Sequence, residues 1–290
     1  MLGGFEQIQI ATSGADINLV HGGQGTPVLL LHGYPQTHIM WHRVAPLLAE
    51  HFTVVASDLR GYGDSSKPAG GTDHVGYSKR AMANDQAEAM EALGFERFAV
   101  VGHDRGARVG HRMALDYPDR VSRLAALDII PTHKIFATVD KNLATAYYHW
   151  FFLSQPYDLP ETLIGAAPTY YLRKKLGQWG TGLKTFAPEA LAEYERCFND
   201  PETIHASCED YRAAMTIDLL HDEADLGRKV ECPLLLLWGA KGAMERLYDV
   251  PGAWREYARD VRGRPVYAGH FLAEEKPEET AQELVSFLRD

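Results

Sequence analysis

Gly102-His103-Asp104-Arg105-Gly106 follows the apolar run Phe98-Ala99-Val100-Val101 and opens onto a helical stretch beginning near Ala107. Small residues spaced around a reactive centre mark a strand–turn–helix elbow, which thrusts a nucleophile out at the top of a parallel sheet. The turn is too sharp for side chains at its flanks, hence glycine on both sides. The usual occupant of the centre is serine; here it is Asp104. A carboxylate, with an ordinary pKa of about 3.9, is ionised near neutral pH unless burial raises it. Its attack on an ester would give a reactive anhydride, whereas attack on saturated carbon expels a leaving group and leaves an ordinary ester. The elbow therefore points to displacement at sp3 carbon, at either a carbon–halogen bond or an epoxide.

Outward from the elbow, short apolar runs alternate with longer helical patterns, the signature of a mostly parallel sheet flanked by helices. Phe5–Ala11 and Ile17–His21 read as a hairpin, and Val28–Leu31, Thr53–Ser57 and Leu124–Leu127 as buried strands. Trp41–Glu50 and Ser78–Leu93 read as helices. From about His133 to Asp225 no buried strand is evident, and aromatic, helical patterns take over. The sheet resumes at Pro233–Trp238, with a helix near Ala253–Ala258, a strand at Pro265–Tyr267 and a closing helix from Pro277. This arrangement predicts an α/β core made of residues 1–132 and 226–290, with a helical cap, 133–225, inserted in it.

The chain has 290 residues, enough for one large α/β domain carrying an inserted module. Its formal charge of −10 argues against nucleic acid or an anionic membrane as partner. Cys197, Cys208 and Cys232 form no metal-ligand or redox spacing, so a reducing compartment is expected. The start lacks the basic flank and apolar stretch of a signal peptide, and no run reaches membrane-spanning length, which predicts the cytoplasm. No cofactor and no metal are expected.

An ester on Asp104 has to be cleared by water, and water needs a base. Tyr267-Ala268-Gly269-His270-Phe271 follows the last strand, and His270 is the candidate. Arg105 and Arg108 stand three apart at the start of the elbow helix, where they share a face and oppose the helix dipole. Two guanidinium groups beside a nucleophile invite an anion, and their paired donors suit a carboxylate. Arg112, four residues before Asp116, reads instead as half of a surface pair. His149, Trp150 and Tyr211 are hydrogen-bond donors by type.

The whole chain resembles the α/β-hydrolase fold with a cap, and two segments, Gly102–Arg108 and His149-Trp150, resemble those of fluoroacetate dehalogenases. The resemblance implies that Asp104 attacks the carbon of a small anionic 2-haloacid, with water as co-substrate and His270 as base. It points to Asp128 as the acid behind His270, because the loop after Leu234–Trp238, where many relatives carry that acid, reads Gly239-Ala240-Lys241-Gly242. Asp249 is the fallback, although an acid before Pro251 also suits a helix start. Backbone N–H groups of Tyr34, in the His32-Gly33-Tyr34-Pro35 turn, and of Arg105 are implied as the oxyanion hole. His149, Trp150 and Tyr211 are implied as the halide site, with Trp179 as a pocket wall, and the assembly as a homodimer. An epoxide hydrolase shares the elbow, the turn and cap tyrosines, but a neutral epoxide gives the arginine pair no work. A non-catalytic ligand receptor on the same scaffold stands further off.

Overall fold

A computed structural model describes residues 2–290. Eight strands, β1 (Glu6–Ala11), β2 (Asp16–Gly22), β3 (Pro27–Leu31), β4 (Thr53–Ser57), β5 (Phe98–His103), β6 (Val121–Leu127), β7 (Leu234–Gly239) and β8 (Val261–Val266), form one sheet in the order β1-β2-β4-β3-β5-β6-β7-β8. β1 pairs antiparallel with β2, and β2 with β4; the pairings from β4 through β8 are parallel. β5 and β7 are buried along their whole length, because helices cover both faces of the sheet. Their sequences correspondingly open on apolar runs, Phe98–Val101 and Leu234–Trp238, rather than alternating.

β8 begins four residues before its expected start. Arg262 and Arg264 face solvent at the sheet edge and hide the strand from hydropathy, as charges commonly do on edges. The expected helix over Trp41–Glu50 is also broken: a 3₁₀ turn occupies His38–Trp41 and a short helix Ala45–Ala49. Pro46 lacks an amide hydrogen and sits in the first turn of that helix, which fixes its start there. The helix near residue 253 runs Val250–Arg255.

Between β6 and β7 the chain forms helices from Thr132 to Ala224 and contributes no strand to the sheet. These helices close over the carboxyl ends of the parallel strands, where ligands bind in open α/β sheets. Residues from the loops after β5, β6, β7 and β8 line one cavity together with residues of these helices. No helix among the described residues is long and apolar enough to cross a membrane.

Candidate active site

The elbow is built by close approach. A Cβ added at Gly102 would lie 2.5 Å from the Ala107 backbone, and one at Gly106 would lie 2.5 Å from the Leu31 carbonyl oxygen. With both flanks pared to hydrogen, Asp104 takes φ +47° and ψ −115°, a conformation that L-residues adopt only under constraint. The strain points its carboxylate away from the sheet. The Tyr34 N–H donates to Asp104 Oδ1 at 3.0 Å, which leaves Oδ2 for chemistry. The Arg105 N–H opens the elbow helix, where amide hydrogens have no intrahelical acceptor. Burial pushes the Asp104 pKa up, but His270, His103, Arg108 and Arg105 outweigh it and hold the group below the ordinary carboxylate range. Asp104 is thus an anion although only 5% exposed.

His270 Nδ1 meets Asp128 Oδ2 at 2.5 Å. The other oxygen of Asp128 accepts the Gly239 N–H at 2.8 Å, so the carboxylate is pinned from both sides. The loop carrying His270 is itself fixed: its N–H donates to the Trp179 carbonyl at 2.9 Å, and His103 Nε2 donates to its carbonyl at 2.8 Å. Burial lowers the His270 pKa, but the hydrogen bond and charge of Asp128, aided by Asp104, raise it above 6.5 on balance. Asp249 does something else. It caps the helix Val250–Arg255 by accepting the Gly252 N–H at 3.0 Å.

The two arginines are separated by their partners. Both guanidinium groups stack on Trp150, Arg105 at 5.5 Å and Arg108 at 4.5 Å from the ring centre. Arg105 is fully buried and bidentate to Asp210, Nε to Oδ2 at 2.9 Å and Nη2 to Oδ1 at 2.5 Å. Asp210 also accepts from Lys79 and from the Tyr62 hydroxyl, and Lys79 reaches Asp218 at 3.6 Å. Two cations and two anions close that network, and Arg105 keeps only Nη1 without a partner. Arg108 has no acid. Its Nη1 donates to the Ile130 carbonyl at 3.0 Å and Thr132 Oγ1 at 2.9 Å, while its Nε is unpartnered. Burial and the neighbouring Arg105 charge lower its pKa to about 10. Arg112 departs from expectation. It is buried rather than on the surface, and pairs with Asp225 at 2.6 Å as well as with Asp116 at 3.3 Å, because helix Ile217–Ala224 packs over it.

His149, Trp150 and Tyr211 converge. The Tyr211 ring centre lies 5.6 Å from that of His149 and 5.9 Å from that of Trp150, and Arg105 stacks on its face at 4.2 Å. Trp150 Nε1, the Tyr211 hydroxyl and His149 Nδ1 are all buried without a protein partner. Burying such groups unsatisfied costs about 1–3 kcal/mol each, so a cluster of three is unusual in a packed core. Burial, then Lys175, keeps His149 well below its ordinary pKa and hence neutral, and burial with the Asp104 charge keeps Tyr211 a phenol.

A cavity of about 370 Å³ is lined by Asp104, Asp128 and His270 on the core side and by Tyr147, His149 and Trp179 on the cap side. Trp179 packs against both His149, tilted at 4.4 Å, and His270, edge-on at 5.7 Å between ring centres. Trp150, Tyr211, Arg105 and Arg108 are not among its lining residues, although Trp150 packs against Tyr147 and Tyr211 against His149, both of which line it. Sequence reasoning missed Asp210 and Thr132, the partners of the arginines, which lie 105 and 24 residues from them. It also missed Lys175, Lys241 and Arg246, while it offers Tyr147, with Tyr148 and Tyr171, only as the second tyrosine of the epoxide reading. Lys241 could have been found, since it occupies the loop in which an acid was sought.

Residues 26–277 match the model of a family described as alpha/beta hydrolase fold. The chain is 52% identical to a fluoroacetate dehalogenase of Burkholderia sp, covering 100% of this chain and 96% of that one. It is 36% identical to a soluble epoxide hydrolase of Corynebacterium sp. (strain C12), over 93% of this chain and 92% of the other. A solved α/β hydrolase from Nostoc sp PCC 7120 superposes with a TM-score of 0.98 at 63% identity, covering 99% of both chains.

Proposed function

The chain belongs to the α/β-hydrolase family, and from that premise we propose that it hydrolyses the carbon–halogen bond of haloacetates, with fluoroacetate favoured, through an ester on Asp104. The observation that carries the reading is the pairing of an acid-free buried cation, Arg108, with three unpartnered buried donors, His149, Trp150 and Tyr211. One end suits a carboxylate and the other a halide ion. Similarity to the Burkholderia fluoroacetate dehalogenase supports the same substrate class.

In the proposed reaction, Arg108 holds the substrate carboxylate with help from the remaining Nη1 of Arg105. Asp104 Oδ2 attacks the halogen-bearing carbon in line; the C–O bond forms as the carbon–halogen bond breaks, with inversion at any chiral centre. Fluoride is a poor leaving group, so the three donors stabilise it as it departs, each such charge-assisted bond being worth about 1.5–3 kcal/mol. Esterification removes the negative charge from Asp104. That charge helped to raise the His270 pKa, so its loss favours the neutral imidazole just when a base is required. His270 takes a proton from water, which adds to the ester carbonyl while the Tyr34 and Arg105 N–H groups stabilise the oxyanion. Collapse frees glycolate and restores the Asp104 carboxylate; halide and one proton leave in balance. The helices over residues 133–225 act as the cap that encloses this chemistry, the remainder as its core, and the working form is a cytoplasmic homodimer.

One turnover in heavy-oxygen water tests the route. The glycolate of the first turnover should carry an unlabelled oxygen from Asp104, and the label should enter Asp104. Label appearing at once in glycolate and never in Asp104 would overturn it. Tyr147, partly buried, and Tyr211, buried, are phenols whose pKa values burial and nearby charge, that of Asp104 included, raise, and they keep epoxide opening as the second reading. Diol from styrene oxide without halide from any haloacetate would favour it.

A further inference from the structure

The cavity over Asp104 carries charge at its mouth that the proposed reaction does not use. Its two exposed charged lining residues, Lys241 and Arg246, are both basic. Neither forms an ion pair among the described residues, although acidic residues outnumber basic ones 39 to 29 in the chain. Lys241 rests on the face of Tyr267 instead, 3.9 Å from the ring centre. Asp128 supplies the carboxylate to His270; the loop after β7 carries no acid, and it presents Lys241 beside the glycine that stands where an acid would otherwise be.

The opposite wall offers an independent observation. Lys175 is fully buried, its ammonium has no hydrogen-bond partner, and it lies 3.5 Å from the centre of the Tyr148 ring and 5.2 Å from that of Trp179. Both aromatics line the cavity. An ammonium kept in an aromatic cage with no acid is costly, and here burial lowers its pKa to about 7. Two exposed cations on the core side and one buried, partly charged amine behind the cap-side aromatics therefore flank the cavity without a counter-ion among the described residues.

We propose that Lys241 and Arg246, aided by the field of Lys175 behind the cap-side aromatics, form an outer anion site that captures the carboxylate of the incoming acid before it passes inward to Arg108. This deepens the haloacetate reading by assigning acid-versus-amide selectivity partly to the mouth. Two steps of cation divide the dehydration of the carboxylate: solvent-exposed charges draw it in, and Arg108 takes it once water is left behind. Cations lining a cleft raise the local concentration of an anion in this way.

The test replaces Lys241→Gln and Arg246→Gln together, two exposed positions. Acetate binding, followed through the indole fluorescence of Trp179 beside the cavity, is compared with acetamide binding. Two unit charges removed at roughly 8 Å from the carboxylate in a water-like dielectric correspond to about a fivefold loss. At about 0.01 M salt the acetate Kd should rise by that factor and the acetamide Kd should not; at about 1 M salt the acetate difference should vanish. Chloroacetate turnover should fall in parallel, through KM. Lys175→Met should weaken acetate in the same direction. Equal losses for acid and amide, or a loss that salt does not erase, would show a structural effect and overturn the proposal; an unchanged acetate Kd would overturn it as well. Acetate is not dehalogenated, so the titration stands even where no haloacid is turned over, and that second result would count against the dehalogenase reading alone.

Discussion

Replacing Arg108→Met should separate binding from stability, and Arg105→Met should do the reverse. Among the described residues Arg108 has no acid partner, so in the proposed reaction its charge serves Asp104 and the substrate carboxylate. Two charge-assisted hydrogen bonds, at about 1.5–3 kcal/mol each, correspond to a fall in kcat/KM for fluoroacetate of roughly 10²–10⁴. Chloroacetamide, which lacks the charge, should lose less than about tenfold. Folding should hardly notice. Losing the bonds to Ile130 and Thr132 costs about 1–3 kcal/mol, and removing a buried cation that burial already disfavours offsets a similar amount.

Arg105→Met leaves Asp210 buried with one cation gone. Breaking such a pair costs about 3–5 kcal/mol, which for a chain of this size lowers Tm by roughly 6–20 °C. The assay is halide release from the acid and the amide, beside a thermal melt of each variant. Equal Tm losses in the two variants, or an Arg108→Met penalty as large for the amide as for the acid, would refute this division of labour.

Replacing His270→Asn should permit displacement but block hydrolysis: halide release should stop after one equivalent, and the peptide containing Asp104 should gain one carboxymethyl group in mass. Continued multiple turnover would remove His270 from the role of base. Because the base works as neutral imidazole, activity should be lost as pH falls through a pKa that Asp128 holds above 6.5; Asp128→Asn should move that acid limb to lower pH and slow turnover by about 10²–10⁴. A limb left in place would exonerate Asp128. Tyr211→Phe or Trp150→Phe should slow fluoroacetate by about 10–10², and chloroacetate less, since fluoride depends most on donated hydrogen bonds. Equal losses on both substrates would mean that these rings only pack.

The elbow was legible because its demands are local: glycine where a Cβ would strike backbone, and a carboxylate where the turn projects one residue. The contact of Asp128 with His270 was implied by the family resemblance, and by the lack of an acid in Gly239-Ala240-Lys241-Gly242; nothing local in the sequence states it, since the two residues are 142 apart. The edge strand β8 was not legible, because solvent-facing arginines break its apolar pattern. Nor was the inequality of Arg105 and Arg108. Spacing of three on one helix states that two side chains share a face; it says nothing of which acid, a hundred residues on, will close against one of them.

That inequality bears on the chemistry more than the shared face does. In the proposed reaction an anionic nucleophile must meet an anionic substrate at bonding distance, and two unit negative charges a few ångströms apart repel strongly where water is excluded. The site must therefore supply positive charge that nothing else neutralises. Arg105 cannot be its main source, since Asp210 balances it in a closed network with Lys79 and Asp218. His149 cannot either, because burial keeps it neutral. Arg108 remains, held by a carbonyl and a hydroxyl that orient it without cancelling its charge. The same physics explains why the acid-free cation sits so close to Asp104: it lowers the nucleophile's pKa in the resting protein and offsets the substrate's charge when the two anions come together.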